Sequence, residues 1–117
     1  MPDMDTQREG LTLREAQREV DATIHALGGY WPPLANLARL FEECGELARA
    51  VNQAHGPKRV KPEETQAAAR EELGDVLYVL LVLANSLDVD AEAALGEVLA
   101  KVRGRTGTPA ATDSPQE

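Results

Sequence analysis

At 117 residues the chain has the length of one domain built on a single core. Its 20 acidic and 12 basic side chains give a formal net charge of -8, which argues against sequence-independent nucleic-acid binding, because that needs a basic surface. The one cysteine, Cys44, excludes an internal disulfide, and the longest apolar run, Val76 to Ala84, is far too short to cross a bilayer.

Residues 1–10 are polar and charged and carry no apolar core of a secretion signal, so a flexible N-terminus and a cytoplasmic location are expected. Thr12 with Glu15 has capping-box spacing and predicts a first helix from about Leu13 to Leu27, with Ala16, Val20, Ile24 and Leu27 on one stripe. Gly28-Gly29 stops it. Tyr30-Trp31-Pro32-Pro33 makes a stiff turn, with Pro33 suited to a first helical turn.

A second helix is predicted from about Leu34 to Ala54, its apolar face formed by Leu37, Leu40, Phe41, Cys44, Leu47, Ala48 and Val51. On that face Cys44 acts as a small hydrophobe. The basic, proline-bearing loop from His55 to Pro62 follows, and a third helix is predicted from about Glu63 to Leu87. From Val76 to Ala84 this helix is apolar on every side and must be covered on every side, which four helices of one short chain can hardly do. A homo-oligomer, dimer or tetramer, is therefore expected, with Asp75 facing its packed interior. Asp90 is the expected N-cap of a last helix running to about Arg103, with Gly104 and Gly107 as its terminators. No segment alternates as a strand would. The expected class is all-α: an antiparallel bundle of about four helices over residues 11–105, completed by homo-oligomerisation. Residues 106–117 read as a disordered tail.

One acidic pattern occurs twice, as Glu42-Glu43-Cys44-Gly45-Glu46-Leu47 and as Glu71-Glu72-Leu73-Gly74-Asp75-Val76. Residues i and i+3 lie about 60° apart on a helix, so Glu43 with Glu46, and Glu72 with Asp75, each aim two carboxylates at one spot. Either half alone reads most simply as a solvated acidic face. The repetition, the mid-helix glycine in each copy and the run into the most apolar helix point instead to a shared cation site. Gly45 and Gly74 would let the helix backbones, or a ligand, come close. Arg49 and Arg70 can balance only part of six acids. Hard oxygen donors with no Cys/His set select Mg²⁺, with Mn²⁺ as a substitute. A di-iron bundle would need Glu-x-x-His, and neither His25 nor His55 follows a glutamate by three.

Glu42, Glu43 and Glu46 on one helix, with Glu72 and Asp75 on the next, resemble the signature of the MazG-like nucleoside triphosphate pyrophosphohydrolases. The resemblance extends over roughly Leu34 to Arg105. Dimeric dUTPases and phosphoribosyl-ATP pyrophosphohydrolases are relatives in the same superfamily. The resemblance implies hydrolysis between the α and β phosphates, giving a nucleoside monophosphate and pyrophosphate in a nucleotide house-cleaning role. It implies metal ligation by Glu43, Glu46, Glu72 and Asp75, with Glu42 to orient or deprotonate the attacking water and Glu71 as a support. A basic end of the last helix is common in the family, which gives Lys101 and Arg105 a phosphate-binding reading beside the simpler one of complementing the helix dipole. Lys58, Arg59 and Lys61 are a second basic set. Trp31 could stack on a nucleobase or serve as core, and the amides of Asn36 and Asn85 could read a base edge or cap the chain locally. The expected substrate is dUTP or another non-standard nucleotide. The alternatives are phosphoribosyl-ATP as substrate, or a non-catalytic metal-binding helical interaction module.

Overall fold

The computed structural model describes residues 10–55 and 62–107, and the side chains of residues 62–65 are not included. Four helices follow one another: α1 (Leu13–Ala26), α2 (Pro33–His55), α3 (Pro62–Ser86) and α4 (Ala91–Thr106). Among the described residues there is no strand. The all-α expectation holds. The flexible N-terminus expected over residues 1–10 lies outside the described residues up to residue 9, as does the tail beyond residue 107. The basic loop residues Lys58, Arg59 and Lys61 also lie outside them.

Local chemistry sets the helix ends. The Thr12 hydroxyl accepts the Glu15 N–H at 3.1 Å while the Glu15 carboxylate accepts the Thr12 N–H at 2.8 Å. Leu27 caps α1, and Gly28 and Gly29 follow at φ 113° and 105°, which side-chain-bearing residues avoid. Leu27 was expected on the buried stripe, but as the cap residue it turns out to solvent. Asp90 caps α4 through the Ala93 N–H, and Gly107, in the left-handed conformation, ends it. Gly104 lies inside the helix and does not stop it.

α2 and α3 pack along one another as an antiparallel hairpin, and α1 packs on α3. Val20 and Ile24 of α1 meet Leu81 and Val82 of α3, with Leu13, Ala16, Tyr30, Tyr78 and Ala91 around them. Burial of apolar surface on this scale is the main source of stability. Val79 is 1 % exposed on the covered side of α3, whereas Leu77 and Leu80 are 49 % and 45 % exposed on its other side. Phe41 and Val51 of α2 are also bare, and α4 buries no residue at all. One chain covers only part of the apolar surface its sequence carries.

Candidate metal centre and nucleotide site

The α2–α3 hairpin brings Glu43 against Glu72 and Asp75. One carboxylate oxygen from each lies within 4.8 Å of the other two. Glu43 and Glu72 are half-buried and Asp75 is exposed. Asp75 was expected to face a packed interior; within one chain it stands at the rim, although Val79, one turn on, is buried.

Burial and acidic neighbours together raise the Glu72 carboxyl above its ordinary range. Burial contributes most, followed by the charges of Asp75, Glu46, Glu43 and Glu71. Glu46 is exposed and lies outside the tightest trio, yet its charge reaches Glu72. Glu42 is exposed on the neighbouring face of α2. Among the described residues neither Arg49 nor Arg70 forms an ion pair with the cluster. A set of hard oxygen donors with no ion-paired base among the described residues suits a divalent cation such as Mg²⁺ or Mn²⁺.

A methyl group built on Gly45 or Gly74 would meet nothing within 4 Å. The two glycines therefore do not mark a close approach of α2 to α3 inside the chain. Gly74 instead lines an open groove beside Asp75, with Gln66, Ala67, Arg70 and Glu71.

A second, more enclosed cavity of about 180 Å³ lies where the chain turns from α1 into α2, against α3. Trp31 and Asn36 line it, with Tyr30, Arg39 and Tyr78. Asn36 is 2 % exposed and its amide donates to the Trp31 carbonyl at 3.1 Å. The Trp31 ring remains largely exposed under the Arg39 guanidinium, 5.8 Å from its centroid. Tyr30 donates to the Asp21 carboxylate at 2.6 Å, and burial followed by this bond pushes its phenol up to about 12.

Arg39 lies one helical turn before Glu43, and Tyr78 one turn after Asp75. In an antiparallel hairpin those two steps run in the same direction, so the cavity sits on the same seam as the carboxylates. Sequence reasoning missed Tyr30, Arg39 and Tyr78. The helical offset from the acidic motif was the available signal for Arg39 and Tyr78; nothing comparable marks Tyr30.

Asn85 does not line this cavity. Its carbonyl oxygen accepts from the Gln17 amide at 2.9 Å and its own amide donates to the Gln17 carbonyl at 3.0 Å. Lys101 and Arg105 are exposed on α4, and no residue of α4 is among the groups that act on Glu72. Within one chain α4 packs on α1, with no comparable contact to the α2–α3 hairpin that carries the carboxylates.

Comparison with known proteins identifies the family. The profile of the MazG nucleotide pyrophosphohydrolase domain matches residues 32–108. The chain is 48 % identical over 95 residues to protein YpjD of Bacillus subtilis (strain 168), covering 80 % of this chain and 86 % of that one. It is 37 % identical over 95 residues to the dATP/dGTP diphosphohydrolase of Cyanophage S-2L, covering 81 % and 77 %. Among solved structures, a Bacillus-conserved MazG protein described as a nucleotide pyrophosphohydrolase superposes with a TM-score of 0.70 at 45 % identity, covering 80 % of this chain and 92 % of the other. These similarities set aside the non-catalytic interaction module. The chain belongs to the MazG family of nucleotide pyrophosphohydrolases.

Proposed function

We propose that this enzyme hydrolyses nucleoside triphosphates between the α and β phosphates, with dUTP or another non-standard nucleotide as its first substrate, and that residues 11–105 are its functional unit. The convergence of Glu43, Glu72 and Asp75 carries the reading, because three carboxylates held this close, with no ion-paired base among the described residues, are arranged to share a cation. MazG-type pyrophosphohydrolases generally depend on a divalent metal. Glu43, Glu46, Glu72 and Asp75 would hold Mg²⁺, or Mn²⁺ in its place. Such an ion, when bound, neutralises phosphate charge and polarises the phosphorus under attack.

The chain's own groups position and move protons. Glu42 lies next to Glu43 but about 100° round the helix, which leaves it free of the ligand set to orient a water and accept its proton. The water oxygen bonds to the α phosphorus as the bond from that phosphorus to the α–β bridging oxygen breaks. Monophosphate and pyrophosphate result. Trp31 stacks on the base at the mouth of the enclosed cavity, and Asn36 holds the turn that presents it.

The bare apolar faces of α2, α3 and α4 support a homo-oligomer. In that assembly Lys101 of the partner subunit, with Arg105 of the partner subunit, would meet the leaving pyrophosphate. A second substrate reading, purine deoxynucleoside triphosphates, is favoured by the cyanophage relative, named for dATP and dGTP.

The test incubates the protein with Mg²⁺ and a panel containing dUTP, dATP, dGTP, the remaining nucleoside triphosphates and phosphoribosyl-ATP. The expected products are monophosphate and pyrophosphate, absent with Glu43→Ala and Glu72→Ala. Release of orthophosphate with a nucleoside diphosphate would overturn α–β cleavage, and the fastest substrate identifies the base.

A further inference from the structure

The polar contact between α1 and the start of α4 has no part in the active site described above, yet it is the most highly connected set of side chains in the described chain. Gln17 is 9 % exposed. Its amide nitrogen donates to the Asn85 side chain at 2.9 Å and to the Val89 carbonyl at 2.8 Å, and its amide oxygen accepts the Ala91 N–H at 2.8 Å. One side chain thus ties together the end of α3, the intervening turn and the first residue of α4. Beside it, the Arg14 guanidinium donates to the Asp90 carboxylate at 3.0 and 2.8 Å and pairs with Glu92 at 3.1 Å, while the Arg14 N–H donates to Glu92 at 3.2 Å. Asp90 also caps α4, so the arginine holds the residue from which the helix starts.

Among the described residues nothing else holds α4 comparably. It packs on α1 but makes no comparable contact with α2 or α3, it buries no residue, and its apolar Leu95, Val98, Leu99 and Val102 are all exposed. α4 is therefore a rod gripped at one end. Lys101 lies about 15 Å along the axis from Ala91, so a tilt of about 10° at the grip would move it by about 2.6 Å. A displacement of that size breaks a hydrogen bond.

We infer that Arg14 and Gln17 are positioning residues: they set the direction in which α4 leaves the bundle and thereby place its basic end on the pyrophosphate portion of the substrate bound at the partner subunit's carboxylates. This rests on the proposed role of Lys101, and the test separates the two. Neither residue touches substrate. Their effect passes through α4.

The experiment measures pyrophosphate binding by calorimetry in saturating Mg²⁺, with the full chain as wild type, Arg14→Ala, Lys101→Ala and the double variant. Arg14 is half exposed at the surface, so its loss leaves the core intact. Arg14→Ala is expected to weaken pyrophosphate binding by up to about fivefold, the size of a good exposed ion pair. The double variant should bind no more weakly than Lys101→Ala alone, because the grip has nothing left to place. Gln17→Glu, which keeps the shape but cannot donate to the Val89 carbonyl, should act like Arg14→Ala, and Arg14→Lys should restore part of the loss. Full additivity of Arg14→Ala and Lys101→Ala, or unchanged binding in Arg14→Ala, would overturn the inference. Unchanged binding in Lys101→Ala would instead remove the proposed phosphate contact, and the inference with it.

Discussion

Of the carboxylates around Glu72, Asp75, one helical turn further along α3, does most to hold its proton affinity up. Burial of Glu72 contributes more than any of these charges, so the folded apo protein binds this proton more tightly than the unfolded chain does. The fold is then penalised as the pH rises above the ordinary glutamate value of 4.5 and Glu72 is forced to ionise. A cation held there, as proposed, would take the place of the proton.

The thermal midpoint of the protein should therefore rise on adding Mg²⁺, and by more at pH 7.5 than near pH 5. Glu72→Gln removes the buried charge. It should raise the apo midpoint at pH 7.5 and shrink the Mg²⁺ increment. Scanning calorimetry with and without Mg²⁺ checks both, and an increment in Glu72→Gln equal to that of wild type would place the ion elsewhere.

Gly45 and Gly74 sit inside helices with open space where a methyl group would go. An alanine at such a position favours the helix by about 0.5–1 kcal/mol. Gly45→Ala and Gly74→Ala should each raise the unfolding free energy in urea by about that amount. A loss of stability would mean that a second copy of the chain lies against that glycine in the assembled protein.

Tyr30 donates to Asp21 from a half-buried position, and its phenol is pushed up to about 12. The chain has two tyrosines, so an absorbance titration at alkaline pH can separate them. One transition near 12 should vanish in Tyr30→Phe. The same variant should lose about 1 kcal/mol of stability with the hydrogen bond. Its raised value reflects a proton held through the neutral range, so neither activity nor stability should change with Tyr30 ionisation between pH 6 and 9.

The parts of this molecule that were legible in the sequence are those governed by neighbours in the chain. The Thr12–Glu15 box and the Asp90 cap each close over three residues, and the placing of Glu72 beside Asp75 depends only on helical pitch, whereas Glu46 falls outside the trio that its partner Glu43 joins. Gln17 and Asn85 grip one another across most of the chain, and no local pattern announces that pairing. Asn85 reads from sequence as an amide that could reach a base edge or cap the chain locally, whereas in the fold both ends of its amide bond to Gln17. Tyr30, Arg39 and Tyr78 reach one cavity only because α1, α2 and α3 meet there. Asp75 depends on something further still: whether it is interior or rim turns on what covers α3, and one chain leaves that side bare.

The exposed side of α3 gives the last prediction. Leu77 and Leu80 lie one turn apart, about half exposed, while Val79 between them is buried against the chain's own helices. Hydrophobic surface of this kind, with Phe41 on α2 and Leu95, Val98 and Leu99 on α4 also exposed, is what a second copy would remove from water. Wild type should therefore elute in light-scattering chromatography as a dimer or tetramer. Leu80→Glu places a charge on that surface without entering the chain's own core. It should shift the protein to a monomer with its helical circular dichroism intact, and, on the proposed role of Lys101 across the assembly, hydrolysis should fall with it. Val79→Glu is the control: it disrupts the core of the single chain, and helix content should fall along with assembly. A Leu80→Glu protein that stays assembled would place the interface elsewhere. A fully active monomer would show that one chain completes its own site.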